Sequence, residues 1–493
     1  MSRGMEQFRL VGEAMAGMEA APGAAIDRFE WRHAPKDPHR LNHDARTNAT
    51  AALRIIPREH HVISRKNISK AALRVLYRLN EAGYQAYLVG GAVRDLLLGG
   101  HPKDFDVATN ATPEEVKKLF RNSRLIGRRF RLAHVVYGPE IIEVATFRGT
   151  GEEDASAGDR HIVDGRIVRD NVWGSIEEDA IRRDFRVNAL YYDISDFSVR
   201  DYVGGMQDVE DRVLHLIGDP ETRYREDPVR MLRAVRLAAK LNFRIDAAAS
   251  APFAELGPLL ADAAPARLFD ESLKLFLAGH GLKSFHMLEQ TGLLTFMFPA
   301  TARALKRGDQ ALRALIEQGL ANTDARLAEG KSVTPAFLFA VLLWGEVRDL
   351  AHTWITKGME GTAAWDRAAA HVVAEQCQRV AIPRRFTLTM EEIWALQPRF
   401  EQVQRKRVFR LMTHPRFRAA FDFLLLRAAE SPAINELGQW WAHAQQLPHE
   451  TLAEALAGVP QGSAGEATAA AVKPRKRRRR KPAGKSGHKS DSV

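Results

Sequence analysis

Asp104 and Asp106 stand two residues apart, with Phe105 between them and Val107 after. In an extended strand residues i and i+2 share a face. Both carboxylates would then point one way, about 6.5–7 Å apart at Cα, while Phe105 and Val107 face a core. Two neighbouring carboxylates repel unless a cation lies between them. Oxygen donors suit a hard divalent ion, with magnesium the natural candidate. The competing reading is a solvated strand edge with two chance aspartates. Glu143, inside the run "IIEVATF", is the candidate third carboxylate. Among such apolar neighbours it is expected to be buried and paired, either at the metal site or with a cation such as Arg148.

Upstream, "YLVGGAVRDLLLGG" reads as strand, glycine turn and short helix. Gly90 and Gly91 open the helix, Gly99 and Gly100 end it, and Pro102 prevents its resumption. Such a turn aims backbone N–H groups at one spot and favours an anion such as phosphate. Arg94, in the first turn, adds a cation. Glycines also close turns for packing reasons alone, and the spacing is not GxGxxG, so a dinucleotide site fits poorly. A phosphate-binding turn beside paired carboxylates implies metal-assisted phosphoryl or nucleotidyl transfer. One ion would activate an attacking hydroxyl and a second would neutralise the leaving pyrophosphate.

A third stretch, "REDPVRMLRAVRLAAKL", reads as a helix with Asp227 as N-cap and Pro228 as its first residue. Met231, Val235, Ala238 and Leu241 form its apolar stripe, and Arg230, Arg233 and Arg236 share another face. Asp227 and Arg230 are one turn apart. They could read the edge of one base, or form an i,i+3 ion pair on a surface helix.

These elements need a large scaffold. At 493 residues the chain exceeds one domain. Its 45% hydrophobic and 27% charged content is that of a soluble globular protein. The apolar run Ala336–Trp344 is too short to span a bilayer and reads as a buried helix. Glu13 and Glu19 interrupt any secretory core near the N-terminus. The single cysteine, Cys377, excludes an internal disulfide and a cysteine-rich zinc site, and a reducing cytoplasm is the expected location.

Composition divides the chain. Residues 1–54 read as a poorly ordered extension. Residues 55–216 mix strand and helix patterns, with Gly204-Gly205 in "RDYVGGMQDVEDRVLHLIG" expected to turn a hairpin. Beyond about residue 220 the pattern is helical, broken at Pro258, Pro265, Pro335, Pro383, Pro398 and Pro415. Residues 456–493 are low in complexity and expected to be disordered. The formal net charge of +11 is concentrated there: Val459–Val493 holds ten Lys/Arg against Glu466 and Asp491. A tail of about +8 on a body of about +3 suggests a polyanionic partner, nucleic acid or acidic lipid, or else a solubilising end.

The motifs resemble the nucleotidyltransferase superfamily, in the branch of CCA-adding enzymes and bacterial poly(A) polymerases. "LVGGAVRDLLLG…KDFDVAT" is similar to that branch's first motif. "EEDAIRRDFRVNALYYD" is similar to its second, which implies that Arg182, Arg183, Asp184 and Asn188 position ribose and triphosphate. Arg186 stands where threonine is usual and is expected to point away from the nucleotide. The stretch around Asp227, Arg230 and Arg233 resembles the nucleotide-selecting motif. "LIGRRFRLAHVVYG", with Arg128, Arg129 and Arg131, resembles a segment that marks the bacterial poly(A) polymerases. The run Arg475, Lys476, Arg477, Arg478, Arg479, Arg480 and Lys481 fits a sequence-independent RNA grip.

The resemblance implies an α+β catalytic head at 55–216 with a mixed five-stranded sheet. A helical neck at 217–280 would select the base, and a helical body at 281–455 would guide RNA. Asp104 and Asp106 would hold two Mg2+ ions, with Glu143 assisting. The implied reaction transfers AMP from ATP to RNA 3′ ends without a template. The implied state is a cytoplasmic monomer, with RNA-decay or RNA-chaperone proteins as candidate partners. The alternatives are a CCA-adding tRNA enzyme, and a non-catalytic RNA-binding protein that keeps the fold.

Overall fold

The computed structural model describes residues 53–127, 131–149, 160–163, 166–170 and 172–457. The extension before residue 53, Arg128, Arg129 and the tail with its basic run lie outside them.

The head is built on strands β1 (Arg54–Ile56), β2 (Ala86–Val89), β3 (Asp106–Thr109), β4 (Ser123–Ile126), β5 (Leu132–Tyr137), β6 (Glu140–Thr146), β9 (Leu190–Asp193) and β10 (Val199–Asp201). They form one eight-stranded mixed sheet in the order β1-β10-β9-β2-β3-β6-β5-β4. The expectation of five strands is corrected at the edges. The count of five came from the resemblance; β1 and β10, of three residues each, and the four-residue β4 are among the short strands that bring the sheet to eight. A separate hairpin joins β7 (Arg160–Val163) to β8 (Arg166–Asp170).

Only β3 and β6 pair in parallel within the large sheet. Parallel neighbours need a crossover, and the helix Pro113–Leu119 lies in it. Thr112 and Glu115 close a reciprocal capping box at its start. The amphipathic helix Lys70–Glu81 buries Val75, Leu76 and Leu79, and the Ser69 hydroxyl accepts the Ala72 N–H at 3.0 Å.

Gly204-Gly205 does not turn a hairpin. Gly204, at φ +85°, leads into the helix Gly205–Asp211. The buried Asp201 carboxylate accepts N–H bonds from Val203, Gly204, Gly205 and Met206, and so caps the helix start. The following strand β11 (Val213–Leu214) pairs with β12 (Arg244–Ile245) instead of β10.

From Pro220 the described chain is almost wholly helical. Pro265 and Pro335 open helices, as expected of proline at a first helical position. Pro398 instead lies inside the helix Arg384–Phe400, near its end. The run Ala336–Trp344 forms the buried first half of Pro335–Thr356, with Phe337 partly covered. One apolar core runs from the head through the neck and into the body, and a second, centred on Phe400, Trp440 and Trp441, closes the C-terminal end. Among the described residues no helix is long and apolar enough to cross a membrane.

Candidate active site

Strand register assembles the acidic residues. Asp106, first residue of β3, pairs with Val89 of β2 on one side and with Glu143 of β6 on the other. Gly90 follows Val89, so the glycine turn opens beside Asp106. Gly90 has φ 74° and ψ −138°, a conformation that favours glycine. A Cβ there would lie 3.7 Å from an Arg183 guanidinium nitrogen and 3.9 Å from Asp106 Oδ2. The turn, Asp106 and Arg183 therefore share one small volume.

Two details differ from the sequence reading. Asp104 precedes β3 instead of lying in it, yet the alternation holds: Asp104 and Asp106 are exposed, Phe105 and Val107 buried. Glu143 is not buried. Its side chain is 52% exposed because Ile142 and Val144, not Glu143, carry the inward phase of β6. Its partner is His134 of β5 at 3.2 Å, rather than Arg148.

Burial raises the Asp106 carboxyl, and the charges of Glu143 and Asp104 add to this. Arg183 opposes them without cancelling them, leaving the group at about 6. Asp106 still has accessible surface, so the desolvation comes from atoms crowding one side of it. An oxygen-donor set with surplus negative charge fits a hard divalent cation. Among the described residues no three His, Cys, Asp or Glu side chains are gathered to hold an ion alone. Asp104, Asp106 and Glu143 therefore do not converge into a three-carboxylate cluster on their own.

The second motif forms a network beside these acids. Ser175 and Glu178 cap the helix Ile176–Arg182 with a capping box. Asp179, buried on that helix, accepts bonds from Arg183 at 3.0 Å and from the Tyr191 hydroxyl at 2.6 Å. Arg183 also donates to the Tyr191 oxygen at 2.9 Å. The guanidinium facing Asp106 is thus fixed from behind. Arg182 bonds the Gly149 carbonyl.

Arg94, the cation expected to reach the anion at the turn, is held by partners within the protein. Its side chain is 3% exposed and donates to Asp95 Oδ1 at 2.6 Å and to Asn188 Oδ1. It therefore holds Asn188 in place. The Asn188 amide nitrogen donates in turn to Asp184 Oδ1 at 3.3 Å. Asp184 is the joint between head and neck, accepting Arg233 Nε at 2.7 Å. Burial works to raise its carboxyl, but Arg233, Asn188 and the Phe185 N–H prevail and hold it at about 2.

In the neck the helix begins at Val229 with Pro228 as N-cap, one residue later than expected; Asp227 Oδ1 still accepts the Val229 N–H at 3.3 Å. Asp227 and Arg230 do not pair with each other. Asp227 receives both Arg267 Nη atoms, at 3.1 and 2.8 Å, and Arg230 donates to Glu226 at 2.8 Å. Arg223 donates to the same Glu226 oxygen at 2.8 Å and to the carbonyls of Arg182 and Arg183 at 2.9 and 2.7 Å. Arg131 pairs with Glu114 at 2.8 Å, both half-exposed.

The sequence reading missed Arg267, Glu226, Arg223, Tyr191 and Asp179. Asp179 and Tyr191 lie inside the second motif and were within reach of its inspection. Arg267 comes from the helix Pro265–Phe276, where no spacing rule could connect it to Asp227.

A mixed sheet with acids on its central strands, a glycine turn and fixed arginines is the arrangement expected of a nucleotidyltransferase, and solved structures share the fold. The chain resembles the Bacillus stearothermophilus CCA-adding enzyme in complex with CTP, at 25% identity and TM-score 0.50, over 80% of this chain and 82% of that one. Three family models match: "Poly A polymerase head domain" at 86–215, "Probable RNA and SrmB- binding site of polymerase A" at 242–305, and "Polymerase A arginine-rich C-terminus" at 357–482. Poly(A) polymerase I of Salmonella typhi is 55% identical over 79% of this chain and 85% of its own length. The CCA-adding enzyme of Lactobacillus johnsonii is 38% identical over 45% of this chain and 54% of its own length. The chain belongs to the poly(A) polymerase I family.

Proposed function

We propose that the protein adds AMP from ATP to RNA 3′ ends without a template, releasing pyrophosphate. The observation that carries this reading is the register of Asp106 with Glu143, beside Gly90 and Arg183, in a chain of this family. Asp104 and Asp106 would hold two Mg2+ ions, with Glu143 alongside. When bound, the ions lower the pKa of the attacking hydroxyl and neutralise charge on the leaving group.

The chain's own residues do the rest. The Gly90–Gly91 turn lets the triphosphate approach the backbone, and Arg183 offers its guanidinium to developing phosphate charge. Asn188, set by Arg94 and Asp184, is placed for the ribose and triphosphate. Asp227, oriented by Arg267, and Arg230, oriented by Glu226, present an acceptor and donors to one base edge. The primer 3′-hydroxyl loses its proton to solvent as its oxygen bonds to the α-phosphorus, the bond to the α–β bridging oxygen breaks, and pyrophosphate leaves. The helical body guides RNA. The protein works in the cytoplasm as a monomer and promotes RNA turnover, with RNA-decay or RNA-chaperone proteins as candidate partners.

One gel tests this. Protein and magnesium are incubated with a generic RNA, and with a tRNA lacking its CCA end, each with ATP or CTP alone. Long ladders from ATP on the generic RNA are expected. Short CTP-dependent additions confined to the tRNA would assign CCA addition instead.

A further inference from the structure

A cavity of about 560 Å³ opens at the C-terminal end of the body, on the second apolar core. Four elements converge on it. Thr362 comes from the helix Gly361–Arg379, Arg399 from the last turn of Arg384–Phe400, Gln402 from the following loop, and Arg407 and Arg410 from Arg405–Met412, with His414 just beyond. Among the described residues no carboxylate lines it.

Among the described residues the arginines have no acidic counterparts. Arg407 donates to the neutral Gln402 oxygen at 2.7 Å, and among the described residues neither Arg399 nor Arg410 has an ion-pair partner. Nearby acids are turned elsewhere: Glu392 holds Arg416 at 2.7 Å, and the charges acting on Glu401 are those of Arg427 and Glu430. His414 Nδ1 accepts the Arg416 N–H at 3.1 Å, which puts the proton of the neutral ring on Nε2 as a donor. Arg399, Arg407 and Arg410 are exposed around one concavity and together give it a positive potential that favours an anion. Planar guanidinium forks suit phosphate oxygens.

We propose that this pocket binds backbone phosphates of the RNA, upstream of the 3′ end being extended, without reading sequence. The proposal rests on the reading that the protein extends RNA. The pocket is built from elements of the body, whereas Asp104, Asp106 and Glu143 belong to the head, so its contribution is expected for long primers and not for one of dinucleotide length. Its contribution weakens with salt, as phosphate contacts do.

The test uses the full chain and oligoadenylates with a blocked 3′ end, one long and one of dinucleotide length. Arg399→Ala/Arg410→Ala is expected to weaken long-RNA binding about tenfold, and to lower the slope of log affinity against log salt by about one to two. On extendable RNA, KM for the long primer should rise with kcat unchanged, and neither should move for the short primer. Arg410→Lys keeps the charge and should restore much of the loss. An unchanged salt slope with unchanged affinity would overturn the proposal. So would an equal loss on both primers accompanied by a lower Tm, which marks a structural role, or a lost protein partner with RNA binding intact. Failure of the wild type to extend any RNA would remove the enzymatic reading, while the binding arm would still decide the pocket.

Discussion

Asp106 and Glu143 are register partners on parallel strands β3 and β6, and Asp106 is also the partner of Val89, after which the chain turns at Gly90. This places two carboxylates and a glycine turn side by side on the central strands of the sheet. Asp106→Asn should lower AMP incorporation by at least about a hundredfold while RNA binding persists. Thermal denaturation gives a second readout. Mg2+ should raise the Tm of the wild type, by mass action on the folded state, and leave that of Asp106→Asn unmoved. Retained incorporation, or an equal Mg2+ shift in both proteins, would remove Asp106 from the metal site.

Without metal the same carboxyl carries a pH signature. Its folded-state pKa is raised from 3.8 to about 6. A raised carboxyl leaves stability untouched below 3.8, where both states are protonated. It costs stability as pH rises toward about 6, because the unfolded chain ionises more readily. In the presence of a chelator, Asp106→Asn should therefore have a higher Tm than the wild type above pH 6, and the difference should vanish at low pH. A difference that grows on acidification would contradict the crowding of Asp106 by Glu143 and Asp104.

Asp184 has the opposite sign. Its carboxyl is held down at about 2 by Arg233, Asn188 and the Phe185 N–H, against burial. A depressed carboxyl stabilises the fold above 3.8 and loses that contribution as pH falls toward about 2. Asp184→Asn should cost about 2 kcal/mol at neutral pH and progressively less under acid, read by urea denaturation at several pH values. A pH-independent cost would show that the ion pair with Arg233 is not the source.

What the sequence made legible was local. The glycine pair, the alternation around Asp106 and the arginine face of Val229–Leu241 depend on neighbours a few residues away, and period and turn chemistry report those. What it hid was long-range. Arg233 meets Asp184 across 49 positions and Arg267 meets Asp227 across 40. Glu143 could be named from its strand, but its partner Asp106 required the register of a crossover. Its exposure followed from the phase of β6, which an apolar run does not disclose. The three-residue strands β1 and β10 fell below the length at which alternation can be seen.

Gly90→Ala separates strain from packing. The nearest atoms to a new Cβ, at 3.7 and 3.9 Å, are ordinary contacts, so the cost lies in the backbone. Holding alanine at φ 74°, ψ −138° should cost about 1–3 kcal/mol, or shift the turn and cut incorporation with little change in RNA affinity. Gly99→Ala is a control. Gly99 also has φ +74° but nothing within 4 Å, and its substitution should leave catalysis nearly intact.

Arg267 supplies the sharpest test of base selection, because no sequence pattern connects it to the site. Its two nitrogens clasp both oxygens of Asp227, which leaves the carboxylate one orientation and limits which base edge it can accept. Arg267 is partly exposed, so Arg267→Ala should change stability by less than about 1 kcal/mol. It should nevertheless relax the preference for ATP over CTP, since Asp227 then samples other rotamers. Asp227→Ala removes the acceptor itself and should relax the preference further, by about tenfold or more in the ratio of kcat/KM values. The double variant should behave like Asp227→Ala alone, because Arg267 acts only through that carboxylate. Additive losses would mean that Arg267 touches the nucleotide directly, and unchanged selectivity in Asp227→Ala would move base reading away from this helix.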